Sequence, residues 1–257
     1  MNIIVPQTTI ESLKLYAERF ENKDFIEGDP SWFMHQVKGS DNQEAMAFIA
    51  QAVSYGSRKQ FMPKIQRLLD HSGGEVSKWV VEGAFNDLVP QENTCFYRLY
   101  TNEMFNAFLS TYRRMIGEYG SMGEFVRRNS HDTLSAIVAL TSYFSAQGSK
   151  GIVPLNAKSS CKRLCMFLRW MVRDHSPVDL GLWSGFIDKK TLIMPLDVHV
   201  MRQSVGFGLL KATTATMTTA LRLTDVMRQV FPDDPLKGDF ALFGLGVTSL
   251  TSLTSDS

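Results

Sequence analysis

Hydrophobic residues recur along most of the chain at intervals of three and four, the spacing that places them on one face of an α-helix. The clearest example runs from 101 to 121, with apolar side chains at 104, 105, 108, 109, 112, 115 and 116 and a stop at Gly120. Ser121 and Glu124 have the spacing of a capping box. The pattern therefore predicts one helix ending at Gly120 and a second beginning at Ser121.

The segment 41–74 shows the same period, with apolar residues at 45, 46, 48, 49, 52 and 53. Asp41 and Glu44 are spaced for a capping box at its start, and paired glycines follow its end. Gly56 and Pro63 interrupt it. The segment is therefore predicted to be one helix that is kinked or broken near these two residues.

Further helical segments are predicted at 9–21, 77–89, 131–145, 160–173, 197–210, 216–230 and 239–247. No stretch of four to eight residues alternates strictly enough to predict a strand, and no internal repeat is visible. An all-α fold class follows. The polar segment 251–257 has no helical face and is expected to be mobile.

Composition sets broad limits on function. With 257 residues, 44% hydrophobic and 21% charged, the chain can bury one large core or two lobes. The apolar runs are too short to span a membrane and the start lacks a signal-peptide pattern, so we expect a cytoplasmic protein with no membrane partner. The three cysteines, Cys95, Cys161 and Cys165, do not form a CxxC motif, so we expect reduced core residues and no disulfide framework.

The formal net charge of +1 conceals an uneven distribution. Between residues 133 and 173 there is no Asp or Glu, and the six basic residues are Lys150, Lys158, Lys162, Arg163, Arg169 and Arg173. Such a stretch is a candidate for contact with an anionic partner. The alternative is a solvated helix face.

Helical geometry gives the segment 160–173 two faces. Lys162, Arg169 and Arg173 fall within about 20° of one line, nearly opposite the centre of an apolar face. The apolar face comprises Cys161, Leu164, Cys165, Leu168, Met171 and Val172. This helix is therefore expected to be buried on one side and cationic on the other.

Lys162 falls in the first turn of this helix if Ser159 or Ser160 is the N-cap. A cation there opposes the helix dipole, which costs about 0.3–1 kcal/mol. The same field, together with the neighbouring arginines, favours the neutral and nucleophilic form of the amine. The alternative is a lysine that extends into solvent or binds a phosphate.

Asp197 opens another predicted helix directly after Pro195-Leu196. An aspartate there accepts backbone N–H groups as an N-cap, which is one interpretation. The same bonds favour an ionised carboxylate that could stabilise a cationic transition state, which is the other. His199 lies two residues further on. With five histidines and no HxxxH or ExxH motif near it, no metal site is predicted.

The segments KSSCKRLCMFLRW and IMPLDVHVMRQSVGFGLL resemble the helix-hairpin-helix (HhH-GPD) DNA glycosylase superfamily. In that superfamily a Gly-x-Lys-[Thr/Val]-Ala helix is followed by a [Val/Pro]-Val-Asp-[Thr/Val]-His-[Val/Ile]-x-Arg segment. The motif positions fall on Lys162, Asp197, His199 and Arg202. QEAMAFIAQAVSYGSRKQ and DFALFGLG resemble an early and a closing helix of the fold. The nearer similarity is to an uncharacterised bacterial family marked by FLRWMVR and PLDxHV.

The resemblance implies a single two-lobed, all-α unit over 1–250, with a cleft that holds a flipped nucleotide of double-stranded DNA. A helical-barrel lobe, about 31–175, would carry Lys162, and the N-terminal helix with about 190–250 would form a second lobe carrying Asp197. The resemblance gives Lys162 the role of the nucleophile that expels a damaged base and forms a Schiff base. Asp197 would stabilise the oxocarbenium-like charge, and a lyase step would cut the strand. No cofactor is implied, and oxidised purines are the candidate lesion class.

The resemblance also implies contacts around the pair. The family's Leu-Pro-Gly-x-Gly hairpin is replaced by the glycine-free segment 153–160, and the segment 174–191 is inserted before Asp197. The candidate DNA contacts are Lys158, Ser159, Ser160, Arg163, Arg169, Arg173 and Arg202, and the candidates for the base pocket are Trp183 and His199. No cysteine follows Cys165, so the iron–sulfur cluster of some members is not expected.

Two other functions fit the same residues. One is a non-catalytic helical module that binds nucleic acid or protein through the basic stripe. The other is a small-molecule lyase that uses a lysine Schiff base. The glycosylase hypothesis requires that Lys162 and Asp197 lie together and that neither is sealed in the core.

Overall fold

The computed structural model of the protein describes residues 3–211 and 214–254, with side chains described up to residue 246. These residues are mostly helical, which confirms the all-α fold class. No helix among them is long and apolar enough to cross a membrane. The chain divides into two compact units, Ile26–Ala157 and the pair of segments Met1–Phe25 with Lys158–Ser257.

The unit Ile26–Ala157 consists of six α-helices, two short 3-10 helices and one hairpin. The helices are α2 (Ser40–Val53), α3 (Arg58–Ser72), α4 (Val76–Glu82), α5 (Asn102–Tyr119), α6 (Met122–Asn129) and α7 (Thr133–Ala146), and the 3-10 helices are Pro30–His35 and Ala84–Asp87. Aromatic rings fill its core, where Phe48 of α2 contacts Phe108, Tyr112 and Phe144 at centroid distances of 5.1, 5.0 and 5.5 Å.

The predicted break in the segment 41–74 is confirmed at Gly56, which lies between α2 and α3 with a φ of 82°. A side chain at this position would meet only the end of the flexible Arg98 side chain and the Tyr97 hydroxyl, so the positive φ is the main reason for glycine here. Pro63 lies inside α3 and does not end it.

The predicted capping box of Asp41 and Glu44 is wrong. The N-cap of α2 is Gly39, and Glu44 is buried within the helix. Its carboxylate accepts the backbone N–H groups of Met122 and Gly123 at 2.9 and 3.0 Å. These two N–H groups lie in the first turn of α6 and have no partner within that helix, so a residue far away in the sequence supplies their acceptors. Ser121 is confirmed as the N-cap of α6, because its hydroxyl accepts the N–H of Glu124.

A short antiparallel hairpin escaped the sequence pattern. It pairs β1 (Cys95–Tyr97) with β2 (Tyr100–Thr101). Strands of three and two residues are too short to show a period-two alternation, so the pattern could not detect them.

The second unit contains α1 (Gln7–Phe20), α8 (Lys162–Val172), α9 (Val198–Gly206), α10 (Met217–Val230) and α11 (Lys237–Thr254), with a short 3-10 helix at Lys189–Thr191. Another 3-10 helix, Lys23–Ile26, lies at the boundary between the units in the sequence. Every side chain of α8 from Leu164 to Val172 is buried. α11 packs against α1 and α9. α8 is therefore a buried element of this unit, and α1, α9 and α11 pack on one another.

Lys162 and Asp197 belong to the same compact unit, whose second segment begins at Lys158. At the chain's end, residues 251–254 continue α11. The rest of the segment expected to be mobile, 255–257, lies outside the described residues.

Candidate active site

Lys162 is the first residue of α8, directly after a strained N-cap. Cys161 has φ 45° and ψ 37°, the left-handed region that non-glycine residues rarely adopt, and its side chain makes no capping hydrogen bond. Such a conformation costs on the order of 1–3 kcal/mol and is maintained only where the surroundings enforce it. The strained residue therefore lies directly before Lys162, the candidate nucleophile.

The N-cap of α8 is Cys161 and neither Ser159 nor Ser160, but Lys162 still lies in the first turn of the helix. The Ser160 hydroxyl donates to the carbonyl oxygen of Leu196 at 3.3 Å, and the Ser159 hydroxyl lies 3.6 Å from the Cys161 thiol. The carbonyl of Lys158 accepts the N–H of Met217 at 3.2 Å. These bonds tie the start of α8 to the start of α10 and to the residue immediately before Asp197.

Asp197 is the N-cap of α9, as its sequence position predicts. One carboxylate oxygen, Oδ1, accepts the backbone N–H groups of His199 and Val200, both at 2.9 Å. The other oxygen, Oδ2, lies 3.6 Å from Nζ of Lys162. The cap therefore fixes the orientation of the carboxylate and leaves its second oxygen facing the amine.

Neither member of this pair is sealed in the core. The side chain of Lys162 is 34% exposed and that of Asp197 is 35% exposed. An ion pair exposed to this degree contributes at most about 1 kcal/mol to stability. The arrangement is thus a small stabilising contact, and it also offers a solvent-accessible amine and an oriented carboxylate to a bound molecule.

The expected cationic face of α8 is not open to solvent, so that prediction is wrong. Arg169 is 3% exposed and Arg173 is 1% exposed. Two guanidiniums are covered by four carboxylates that lie outside α8: Arg169 pairs with Asp179 and Asp239, and Arg173 with Glu21, Asp179 and Asp234. We call these six residues the buried ion network. Arg169 and Arg173 consequently belong to the framework behind the site and not to an exposed DNA-contact surface.

Arg173 is the most completely paired member of the buried ion network. Its Nε and Nη2 donate to Asp234 at 3.0 and 2.7 Å, and its Nη1 donates to Asp179 at 2.5 Å. Burial opposes the charge of this guanidinium, but its carboxylate partners outweigh that cost and raise the pKa of Arg173. It therefore remains charged under all ordinary conditions.

Asp239 connects the buried ion network to the exposed pair. Its Oδ2 accepts from Nη1 of Arg169 at 2.5 Å, and its side chain is 13% exposed. Burial raises the pKa of Asp239, and the negative charge of Asp197 raises it further. The positive charges of Arg169 and Lys162 lower it, but not enough to cancel the rise. Asp239 thus lies within electrostatic reach of both Lys162 and Asp197.

Sequence reasoning missed Asp239 as a site residue. It begins the DFALFGLG segment and lies in the first turn of α11, where an acidic residue is common because of the helix dipole. That position gave no reason to separate it from an ordinary helix-start aspartate. The one available signal was that Asp239 is the first residue of DFALFGLG, the segment that resembles a closing helix of the superfamily fold.

The other candidate residues are divided between surface and core. Lys158, Ser159, His199 and Arg202 are exposed, Lys162 and Arg163 are half-buried, and Ser160 is buried. Trp183 is 2% exposed and packs edge-on against Phe167 at 5.3 Å. Trp183 is therefore a core residue and presents no exposed face on which a base could stack.

Two of the three cysteines are core residues and one is not. Cys161 and Cys165 are buried, and burial raises the pKa of both thiols. Cys95 is exposed, contrary to the expectation for all three. Within the described part of the chain, no cluster of three or more His, Cys, Asp or Glu side chains is arranged to hold a metal ion.

Comparison with known proteins places the chain in a family without assigning it an activity. Neither the curated proteins nor the solved structures gave a match. A family model covers residues 29–248, a range that includes Lys162, Asp197 and Asp239. The chain therefore belongs to DUF2400, a family described as proteins of unknown function.

Proposed function

We propose that the protein is a DNA glycosylase with lyase activity, in which Lys162 is the nucleophile and Asp197 stabilises the cationic transition state. The observation that carries this proposal is the 3.6 Å separation of Lys162 Nζ and Asp197 Oδ2, with both side chains about one third exposed. The resemblance of the two motif segments required such a meeting. Residues so far apart in sequence had no local reason to meet.

The geometry suits a displacement at a sugar carbon. Once Nζ has given up a proton to water, its electron pair forms a bond to C1′. The bond from C1′ to the damaged base breaks, and the base leaves with those electrons and takes a proton from water. Positive charge develops on the sugar during this step, and Asp197, whose Oδ2 lies 3.6 Å from the attacking amine, would supply a negative charge close to it. Because Oδ1 is committed to the cap of α9, the carboxylate needs little reorganisation.

DNA contact in this proposal relies on the exposed residues Lys158 and Arg202, with Ser159 and the half-buried Arg163 nearby in the chain. Lysine and arginine contacts to phosphates position a protein on a duplex without reading its sequence. The binding-module alternative depended on a basic stripe, and two of the three cations in that stripe are buried and paired. That burial favours the catalytic alternative.

The test is borohydride trapping on duplex oligonucleotides that each contain one damaged base or one abasic site. A Schiff base between Lys162 and the sugar is reduced to a stable adduct, and oxidised purines are the first lesions to try. We expect a covalent protein–DNA adduct with at least one substrate. No adduct on any substrate, including the abasic one, would refute the proposed function.

A further inference from the structure

We infer that Thr224 is a positioning residue, whose hydroxyl holds the segment before Asp197 and so maintains the distance between Asp197 and Lys162. This inference rests on the proposed function for its reaction. Thr224 lies in α10 and is fully buried, so it cannot itself contact DNA. Three hydrogen bonds that join α10, the start of α8 and the segment before α9 support the inference.

The first bond fixes the segment that leads into α9. Residues 192–196 are all buried, and we call them the approach segment. The Thr224 hydroxyl accepts the backbone N–H of Met194 at 3.0 Å. It also donates to the carbonyl oxygen of Ala220, one turn back in α10, at 2.8 Å. Pro195 follows Met194, and its ring restricts the backbone further. The approach segment is therefore attached to α10 at a fixed point.

The second bond joins the approach segment to the start of α8. The carbonyl oxygen of Leu196 accepts the buried Ser160 hydroxyl at 3.3 Å. Asp197 directly follows Leu196, and Lys162 lies two residues after Ser160. This contact therefore connects the backbone beside one member of the pair to the backbone beside the other.

The third bond joins the start of α8 to α10. The backbone N–H of Met217, the first residue of α10, donates to the carbonyl oxygen of Lys158 at 3.2 Å. Ser159 and Thr216 form an antiparallel β-bridge beside it. Met217 and Thr224 are seven residues apart, which is two turns of α10 or about 10 Å. One helix thus holds the start of α8 and the approach segment at two separate points.

The bonds Met194–Thr224, Ser160–Leu196 and Lys158–Met217 form a closed set, which we call the anchoring triangle. Packing alone does not fix Lys162 and Asp197, because each side chain is about one third exposed. Their separation of 3.6 Å therefore depends on the backbone that carries them. A misplacement of about 1 Å at a reacting centre can cost on the order of 100-fold in rate.

Loss of the Thr224 hydroxyl releases one side of the anchoring triangle. The approach segment can then shift at Met194, and Asp197 moves with it relative to Lys162. The exposed residues proposed to contact phosphates, Lys158 and Arg202, keep their side chains and their charges. The change should therefore slow the chemical step and leave DNA affinity nearly unaltered.

The test compares Thr224→Val with Thr111→Val, because valine keeps the shape of threonine without its hydroxyl. Thr111 of α5 is the control, since it is also buried and its hydroxyl donates one turn back, to Ala107 at 2.8 Å, but it lies in the other unit. We expect Thr224→Val to lower the maximal rate of single-turnover borohydride trapping on abasic DNA about 10-fold. The protein concentration that gives half of this rate should stay within about 2-fold. Thr111→Val should change neither quantity.

Two further variants separate positioning from a general loss of stability. Thr224→Val leaves the Met194 N–H buried without an acceptor, so rates are compared only where urea unfolding shows that every variant is folded. Thr224→Ser keeps the hydroxyl and should recover most of the maximal rate. Ser160→Ala opens another side of the anchoring triangle and should slow the maximal rate in the same way, even if Thr224→Val does not fold. An unchanged maximal rate in Thr224→Val or in Ser160→Ala, or a Thr224→Ser variant as slow as Thr224→Val, would overturn the inference.

A measurement without DNA separates this inference from the proposed function. The negative charge of Asp197 favours the charged, unreactive form of the Lys162 amine, so acetylation of Lys162 by acetic anhydride reports whether the pair is intact. Mass spectrometry should show acetylation about 2-fold faster in Thr224→Val than in the wild type, and an unchanged rate in Thr111→Val. Equal rates in Thr224→Val and the wild type would overturn the positioning role. Absence of any wild-type adduct with DNA would instead overturn the glycosylase proposal.

Discussion

Nζ of Lys162 lies 3.6 Å from Oδ2 of Asp197, and each residue stands at the N-terminus of its own helix. The positive charge of Lys162 opposes the dipole of α8 and destabilises that helix, whereas the negative charge of Asp197 complements the dipole of α9 and stabilises it. Asp197 compensates for the unfavourable place of Lys162 by pairing with it. Both side chains are about one third exposed, so the pair is accessible to a bound molecule.

Replacing Asp197 separates its structural role from its chemical one. Asp197→Asn keeps an oxygen that accepts the His199 and Val200 N–H groups, so urea unfolding should show a stability close to that of the wild type. The same variant should lose at least about 100-fold in trapping rate, because the negative charge is gone. Asp197→Ala should lose the charge and also about 1 kcal/mol of stability. Full activity in Asp197→Asn would restrict Asp197 to the role of a cap.

The buried ion network predicts a large stability effect at Arg173. Arg173→Ala leaves Asp179, Asp234 and Glu21 buried without their shared cation, which should cost about 3–5 kcal/mol. Arg222→Ala is the control, because this arginine of α10 is exposed and its loss should change stability by less than about 0.5 kcal/mol. Urea unfolding followed by tryptophan fluorescence measures both. Similar midpoints in the two variants would contradict the structural role given to Arg173.

The three thiols should react at very different rates. Cys95 is exposed, whereas Cys161 and Cys165 are buried and burial raises the pKa of both. Because the thiolate is the reactive form, Cys95 should react rapidly with a disulfide reagent at pH 8, and the other two only after denaturant is added. Cys95→Ser should abolish the rapid phase. Rapid labelling of Cys161 would show that the start of α8 opens in solution.

The sequence was most informative where the structure is local. The helix periods, the cap at Ser121 and the break at Gly56 all depend on residues within a few positions of one another, and the structure agrees with them. The positions of Lys162 and Asp197 at helix starts were predictable for the same reason. That the two side chains lie together was suggested by the resemblance of both segments to the motifs of one superfamily, and not by any physical rule.

The parts that could not be predicted depend on distant partners. Nothing near Arg169 or Arg173 in α8 indicates the carboxylates at 21, 234 and 239 that cover them, so a solvent-facing cationic stripe was the natural expectation. Glu44 gives a second example, because it has capping-box spacing but caps α6 instead. Charged residues on a helix are assigned to solvent by periodicity unless their partners are known.

Peptide mapping of a borohydride-trapped adduct tests the central claim most directly. Wild-type protein is reduced in the presence of duplex DNA with an abasic site, digested and examined by mass spectrometry. Lys162→Ala is treated in parallel, and Lys59→Ala, at an exposed lysine of α3 outside the site, is the control. We expect the sugar remnant on Lys162, no adduct in Lys162→Ala at unchanged urea stability within about 1 kcal/mol, and an undiminished adduct in Lys59→Ala. An adduct located on another lysine, or formed equally well by Lys162→Ala, would contradict Lys162 as the nucleophile.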